Sequence, residues 1–451
     1  MGHRWLPPTL WTFDTFIVEI IRNFAFALHS KLQLMHLSDG IYKVQNLAFT
    51  DLAQEYGTPL FVYDANKIES QYHRMVNAFD VEKLKINYAC KALTNINILK
   101  LMHGLGSGID AVSIEEIKLS LLAGFDPQAI VFTPNSVGID EIEEAIGLGV
   151  RINIDNIEML EYFGHHYPDL KICIRINPHV MAGGNSKISV GHIDSKFGIS
   201  IHQMPLVLRI VENQKIHVEG IHMHTGSDIL DVEVFQYAAD ILFNQARHFP
   251  SLDYIDFGSG FKVKYKENDI ETDIDQFGKL MSDKFNTFCK ETGMDLTLVF
   301  EPGKFLVSES GYFLATTNII KQTTSTVFAG INTGFNHMIR PMFYNAYHEI
   351  INISNVTGIP KLYTVVGYIC ETDTFAYNRK INQISPGDIL VFKNAGAYCF
   401  SMASNYNSRL LPAEVMIKDG ESYLIRQRQE FDDLLTNQVE APIFKAERVS
   451  S

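Results

Sequence analysis

Basic residues are in deficit along this chain, and the deficit removes whole classes of partner. Its 38 lysines and arginines are outnumbered by 52 aspartates and glutamates, a formal net charge of −14, whereas nucleic acid and anionic membranes call for a basic face. Cysteine is scarce too. The five (Cys90, Cys173, Cys289, Cys370, Cys399) are odd in number, far apart and never in a C-x-x-C pair, so they form no disulfide framework or zinc-site spacing. The thiols are read as reduced and the chain as cytoplasmic. No G-x-G-x-x-G follows the first strand pattern, which argues against a dinucleotide-binding doubly wound sheet. Nor is there a membrane-length apolar run, because Asp14, Glu19 and Arg22 interrupt the aromatic segment 1–34. That segment is read as an upstream extension with Met35 as the natural start, an amphipathic membrane-surface helix being the alternative.

What is present is enough for two domains: 451 residues, 46% of them hydrophobic. From residue 85 onward short β-branched runs alternate with helical patterns. The runs are 85–90, 108–112, 129–133, 150–154, 171–176, 218–224, 252–257 and 295–300, eight in all. Between them, stretches such as "IEEIKLSLLAGF" place Ile114, Ile117 and Leu121 on one helical face with Gly124 as a stop. Eight strands alternating with helices over about 220 residues is the arithmetic of a TIM (β/α)8 barrel.

After about residue 305 the texture turns to Val, Ile, Phe, Tyr and Thr punctuated by "SPGD" and "NAGAY", which reads as an all-β domain. The expected organisation is an extension at 1–34, a segment at 35–59 that lends a strand to the β domain, a barrel at 60–305, the β domain at 306–425, and a tail at 426–451 with a helix and a loose end.

Barrel enzymes carry their reactive groups where strands end. Here those positions hold Lys91, Asp110 with Ser113, Asn135, Asp155, Arg175 with Asn177, His222 with His224, Asp256 before "GSG", and Glu301 in "EPGK". A strand-end lysine, a histidine able to lie on a ring, glycine turns for a phosphate and an opposing carboxylate together suit pyridoxal phosphate. Lys91 would then form the Schiff base and Glu301 would meet the pyridinium nitrogen. "HMHTGSD" admits a second reading, in which His222 and His224 are paired metal ligands of a barrel hydrolase.

Ten motifs in one order make the pattern specific: "YACKA", "GIDAVS", "RINP", "DSKFG", "HMHTGS", "DFGSG", "EPGKFLV", "RPMFY", "CETD", and "GAY" followed by "MASNYNSR". Over about residues 40–420 the chain resembles the fold-type III pyridoxal-phosphate decarboxylases, and among them the diaminopimelate-cleaving branch. The resemblance implies a PLP-binding barrel whose covalent lysine is Lys91, with Asp110 nearby and His224 stacked on the pyridine. Ser227, Gly258, Gly260 and Gly303 would hold the phosphate, Glu301 the ring nitrogen, and Lys304 and Tyr398 both cofactor and substrate. It also implies a homodimer whose second copy completes the site, with Cys370 as proton donor and Glu371 as substrate ligand. No metal is implied.

The activity implied is decarboxylation of meso-2,6-diaminopimelate to L-lysine and CO2. The remote amino-acid end of that substrate needs a cation and an acceptor, which Arg340, Tyr344 and Glu371 provide. Decarboxylation of ornithine, arginine or carboxynorspermidine is the alternative, and a buried unpaired arginine would be costly there. Three departures stand out: Lys304 replaces the common arginine and loses bidentate geometry, "IE" replaces a glycine pair after "DAVS", and "CETD" is one residue shorter than "CESGD".

Overall fold

The computed structural model describes residues 35–180, 195–226 and 232–444. The extension at 1–34, Ser227 and the end of the tail lie outside the described residues. Each of the eight expected strands is present, displaced by a residue or two at its ends. They are Leu84–Ala89, Gly108–Ala111, Ile130–Phe132, Arg151–Ile154, Lys171–Asn177, His217–His222, Tyr254–Asp256 and Thr297–Phe300. Every neighbouring pair is parallel, and the last strand returns to the first with Leu298 opposite Leu84. The ring is therefore closed, and no strand edge is left for another chain to extend.

Helix ends follow their side chains. Ser113 caps Ile114–Ala123 by accepting from the Glu116 N–H, and Gly124 ends it in the left-handed conformation at φ 104°, where a Cβ would clash with the chain's own carbonyl. Ile114 and Ile117 are buried on the barrel.

The second sheet is mixed. Its central strand Gly311–Gln322 pairs antiparallel with Leu60–Asp64, Val327–Ile331 and Ile389–Phe392, and Leu60–Asp64 pairs parallel with Ala413–Lys418. The N-terminal strand that joins this sheet is Leu60–Asp64, just past the 35–59 segment, which joins the same domain by packing: Val44, Phe49 and Leu52 share a core with Tyr312, Val391 and Val415. The earlier strands His36–Ser38, Ile41–Val44 and Leu47–Ala48 form a small sheet of their own. The reason is burial: all five residues of "LFVYD" are buried, as a central strand requires, whereas Ile41–Val44 has only Val44 buried. Among the described residues past 426 there is no tail helix of the kind expected; two short turns, Phe431–Leu435 and Pro442–Phe444, stand there. No helix among the described residues is long and apolar enough to cross a membrane.

Candidate active site

The C-terminal ends of the barrel strands enclose a cavity of about 400 Å³, with Tyr398 of the β domain in its wall. The first strand stops at Ala89 because Cys90–Ala92 closes a tight turn, the Leu93 N–H donating to the Cys90 carbonyl at 3.1 Å. Buried Tyr88 and Cys90 pin the turn from below, so Lys91 points into the cavity. Its Nζ lies 2.7 Å from Asp110 Oδ2. The Lys91 side chain is 41% accessible and lines the cavity. Burial alone would lower the ammonium pKa; the negative charge of Asp110 and its hydrogen bond, with Glu301 behind, outweigh it and hold the pKa above the usual lysine range.

Across the cavity Glu301 follows the last strand, and its N–H donates to the Gly258 carbonyl at 2.7 Å. Glu301 Oε2 is 3.0 Å from His222 Nε2, with both side chains buried. Burial raises the Glu301 pKa, but His222 and then Lys91 overcome this and keep the carboxyl below its usual range. An ionised carboxylate can only accept, so His222 Nε2 carries the hydrogen. Glu301 Oε1 is also buried and has no hydrogen-bond partner, a costly state unless a donor enters the cavity.

The turn after Asp256 is fixed by its own contacts. Gly258 has φ 62°, and a Cβ there would sit 2.6 Å from the Met223 carbonyl oxygen, so only glycine fits. Its N–H donates to Asp256 Oδ1 at 2.8 Å, and the Ser259 N–H donates to His224 Nδ1 at 3.1 Å. Burial, followed by the positive charge of Arg175, draws the His224 pKa down to about 3. His224 is therefore neutral and presents an uncharged ring. Burial and the adjacent Glu301 charge push Asp256 well above the usual carboxyl range.

The structure thus gathers Lys91, Asp110, His224, Gly260, Glu301, Gly303, Lys304 and Tyr398 around one cavity. Arg340 and Tyr344 stand behind Tyr398, outside the lining. Arg340 is buried in the short helix Arg340–Phe343, its Nη2 donates to Tyr265 Oη at 3.3 Å, and its guanidinium lies 5.5 Å from the Tyr265 ring and 5.8 Å from the Tyr344 ring. Cys370 and Glu371 are exposed and do not line the cavity. Asn407 grips Cys370, accepting from its N–H at 3.0 Å and donating to Sγ at 3.2 Å, while Tyr406 Oη donates to Glu371 at 2.8 Å.

Several lining residues carried no assigned role from sequence. Arg175 is buried, faces the cavity and lies 4.8 Å from the Phe197 ring; its strand-end position was the available signal. Phe197 lies in the motif "DSKFG", to which no role was assigned. The histidine pair does not converge on one point. Among the described residues the group with metal-ligand geometry is His222, Asp256 and Glu301, with ligand atoms within 4.8 Å of one another, and His224 is not in it.

Comparison with known proteins matches this architecture. Residues 65–308 match the family model for the pyridoxal-binding domain of pyridoxal-dependent decarboxylases. A diaminopimelate decarboxylase of Methanothermobacter thermautotrophicus is 39% identical over 399 residues, covering 86% of this chain and 93% of the relative. The solved diaminopimelate decarboxylase of Helicobacter pylori, complexed with L-lysine, superposes with a TM-score of 0.79 at 32% identity over 86% of this chain and 98% of that one. The M. jannaschii enzyme, also with L-lysine, gives 0.84 at 28% identity, covering 91% and 99%. With both domains spanned and relatives above 30% identity over most of the chain, the protein belongs to the diaminopimelate decarboxylase family of pyridoxal-dependent decarboxylases.

Proposed function

We propose that this chain decarboxylates meso-2,6-diaminopimelate to L-lysine and CO2 using pyridoxal phosphate. The observation that carries the reading is the pairing, across one cavity, of the Lys91 amine with a buried carboxylate oxygen, Glu301 Oε1, that has no donor. A protonated pyridine nitrogen would satisfy that oxygen, and the residues present fit the cofactor. Lys91 would anchor it through Nζ, the neutral His224 ring would meet its face, and the turn at Gly258 and Gly260, with Gly303, would let backbone approach its phosphate. When bound, the cofactor accepts the electron pair left behind by departing CO2.

This chain's own groups do the rest. Asp110 holds the Lys91 ammonium in place, and Glu301 keeps a positive charge at the far end of the cavity. Because the product is L-lysine, the carboxylate lost belongs to the D centre, so the site must tell the two ends of a meso substrate apart. Arg340, Tyr344, Lys304 and Tyr398 supply a cation and hydroxyls for the retained end. The exposure of Cys370 and Glu371 supports a homodimer in which Cys370 of the partner subunit delivers the proton from Sγ and Glu371 of the partner subunit binds the distal ammonium. The free cysteines suit a cytoplasmic setting.

Release of CO2 from purified protein, compared among meso-diaminopimelate, ornithine, arginine and carboxynorspermidine, tests the reading. The first is expected to be fastest, and a higher kcat/KM with any other rejects the substrate assignment. Borohydride treatment of the holoenzyme followed by peptide mapping is expected to label Lys91; a label elsewhere rejects the anchor.

A further inference from the structure

We propose that His222 and Asp256 are positioning residues that lock Glu301 in one rotamer, so that its free oxygen meets the pyridine nitrogen of the cofactor. The inference rests on the reading of Glu301 given above and extends it to two residues to which that reading gives no task. His222, Asp256 and Glu301 end three consecutive barrel strands, and His222 lies directly opposite Asp256 in register. All three side chains are buried. His222 Nε2 holds Glu301 Oε2 at 3.0 Å, whereas His222 Nδ1 and Glu301 Oε1 have no hydrogen-bond partner.

A carboxylate held at one oxygen can turn about that bond, and Asp256 restricts the turn. Its Oδ1 is committed to the Gly258 N–H at 2.8 Å, while Gly258 O receives the Glu301 N–H at 2.7 Å. Asp256 therefore ties the glycine turn to the Glu301 backbone and stands beside the Glu301 side chain, within the 4.8 Å spread of the three ligand atoms. One rigid network thus runs from the turn proposed to hold the phosphate to the carboxylate proposed to hold the ring nitrogen. Preorganisation of this kind favours binding because the carboxylate need not be ordered when the cofactor arrives.

The test compares His222→Gln, whose amide nitrogen reaches the place of Nε2 and keeps the donor, with His222→Asn and His222→Leu, which do not reach Oε2. Affinity of the cofactor-free protein for pyridoxal phosphate is measured by equilibrium dialysis, and the visible absorption of the loaded protein is titrated against pH. His222→Asn and His222→Leu are expected to raise the dissociation constant about tenfold or more, the scale of a charge-assisted hydrogen bond, and to shift the absorption midpoint. His222→Gln is expected to stay within about threefold of wild type on the same scale. Thermal melts of the cofactor-free variants identify any that fail to fold, and the Asn and Gln pair still decides the matter if Leu is lost.

Equal affinity and an unmoved midpoint in His222→Asn would overturn the proposal. Stoichiometric zinc in the purified protein, released by Glu301→Gln, would overturn it too, since the three groups would then be metal ligands. Glu301→Gln separates the two levels. If it leaves affinity and spectrum unchanged, the reading of Glu301 itself fails; if it alters both while His222→Asn does not, only the role of His222 fails.

Discussion

The backbone N–H of Tyr398 donates to the Ala92 carbonyl at 2.8 Å, fastening a loop of the β domain to the turn that carries Lys91. Tyr398 adopts φ 56° to do so, a conformation that costs a non-glycine residue and persists where its surroundings demand it. The two domains are joined more widely as well. One continuous apolar core includes Phe61, Tyr63, Phe313 and Phe392 of the mixed sheet together with Tyr88 and Phe300 of the barrel.

A shared core of that kind predicts one cooperative transition. The cofactor-free protein is expected to unfold in a single step, with coincident circular dichroism and fluorescence curves and a calorimetric enthalpy equal to the van't Hoff value. Two resolved transitions would mean that barrel and β domain are energetically separate, against the contacts of Tyr398 and Phe61.

The barrel was legible because its strands alternate with amphipathic helices and because helix stops such as Gly124 are local. Strand ends also gave away Lys91, Asp110, His224 and Glu301, since a parallel barrel sends strand-end side chains toward one face. The sequence does not disclose which strand crosses between domains. "LFVYD" reads as a buried strand in either setting, and only pairing with Gly311–Gln322 assigns it to the mixed sheet. Phe197 lies within "DSKFG", yet its place in the cavity wall was not legible for a related reason: an aromatic residue that lines a cavity has the same local pattern as one that fills a core. His222 appeared in sequence as half of a metal pair. Its bond to Glu301, 79 residues away, is a product of barrel closure that no local pattern records.

Buried histidines give the fold a defined acid response. His348 is buried, its Nδ1 lies 2.9 Å from the Lys393 carbonyl oxygen, and burial, then the charge of Arg340, draws its pKa down to about 3. In the unfolded chain it titrates near the ordinary value of about 6.5. Between those values the unfolded state binds the extra proton, so the folded state loses stability as pH falls. His337, drawn to about 4 by burial, acts in the same direction. Asp64 and Asp373, raised to about 6 by burial, act oppositely below pH 6, which makes the bulk curve a sum of opposing slopes. His348→Asn isolates one of them, because the Asn amide keeps the donor and cannot titrate. Its stability relative to wild type is expected to improve by about 1.4 kcal/mol between pH 7.5 and 5.5. A difference independent of pH across that range would show that His348 is not held neutral.

Under the proposed function Arg340 serves discrimination rather than bond breaking. Its guanidinium lies between the Tyr265 and Tyr344 rings, and its Nη2 donates to Tyr265 Oη. Arg340→Lys keeps the charge and loses the planar fork. It is expected to raise KM for meso-diaminopimelate about tenfold or more, with a smaller change in kcat and little change in cofactor affinity. A fall in kcat at unchanged KM would place Arg340 in the chemical step, and loss of cofactor would place it in the cofactor site.

Completion of the site by a second copy can be tested without a structure of the dimer. Lys91→Ala removes the anchor inside the barrel, whereas Cys370→Ala removes an exposed thiol that does not line the same chain's cavity. If each site draws Lys91 from one copy and Cys370 from the other, a heterodimer of the two variants has one site with both defects and one with neither. Equal mixing under exchanging conditions makes half of all dimers heterodimers, so about a quarter of wild-type activity should return although both parents are nearly inactive. Glu371→Ala mixed with Lys91→Ala should give the same recovery, because Glu371 sits on the Cys370 loop. Cys370→Ala mixed with Glu371→Ala should recover nothing beyond the parents, because each heterodimer site then lacks either the thiol or the carboxylate. Absence of recovery in the first mixture, with exchange verified by mass spectrometry, would place Cys370 in the site of its own chain.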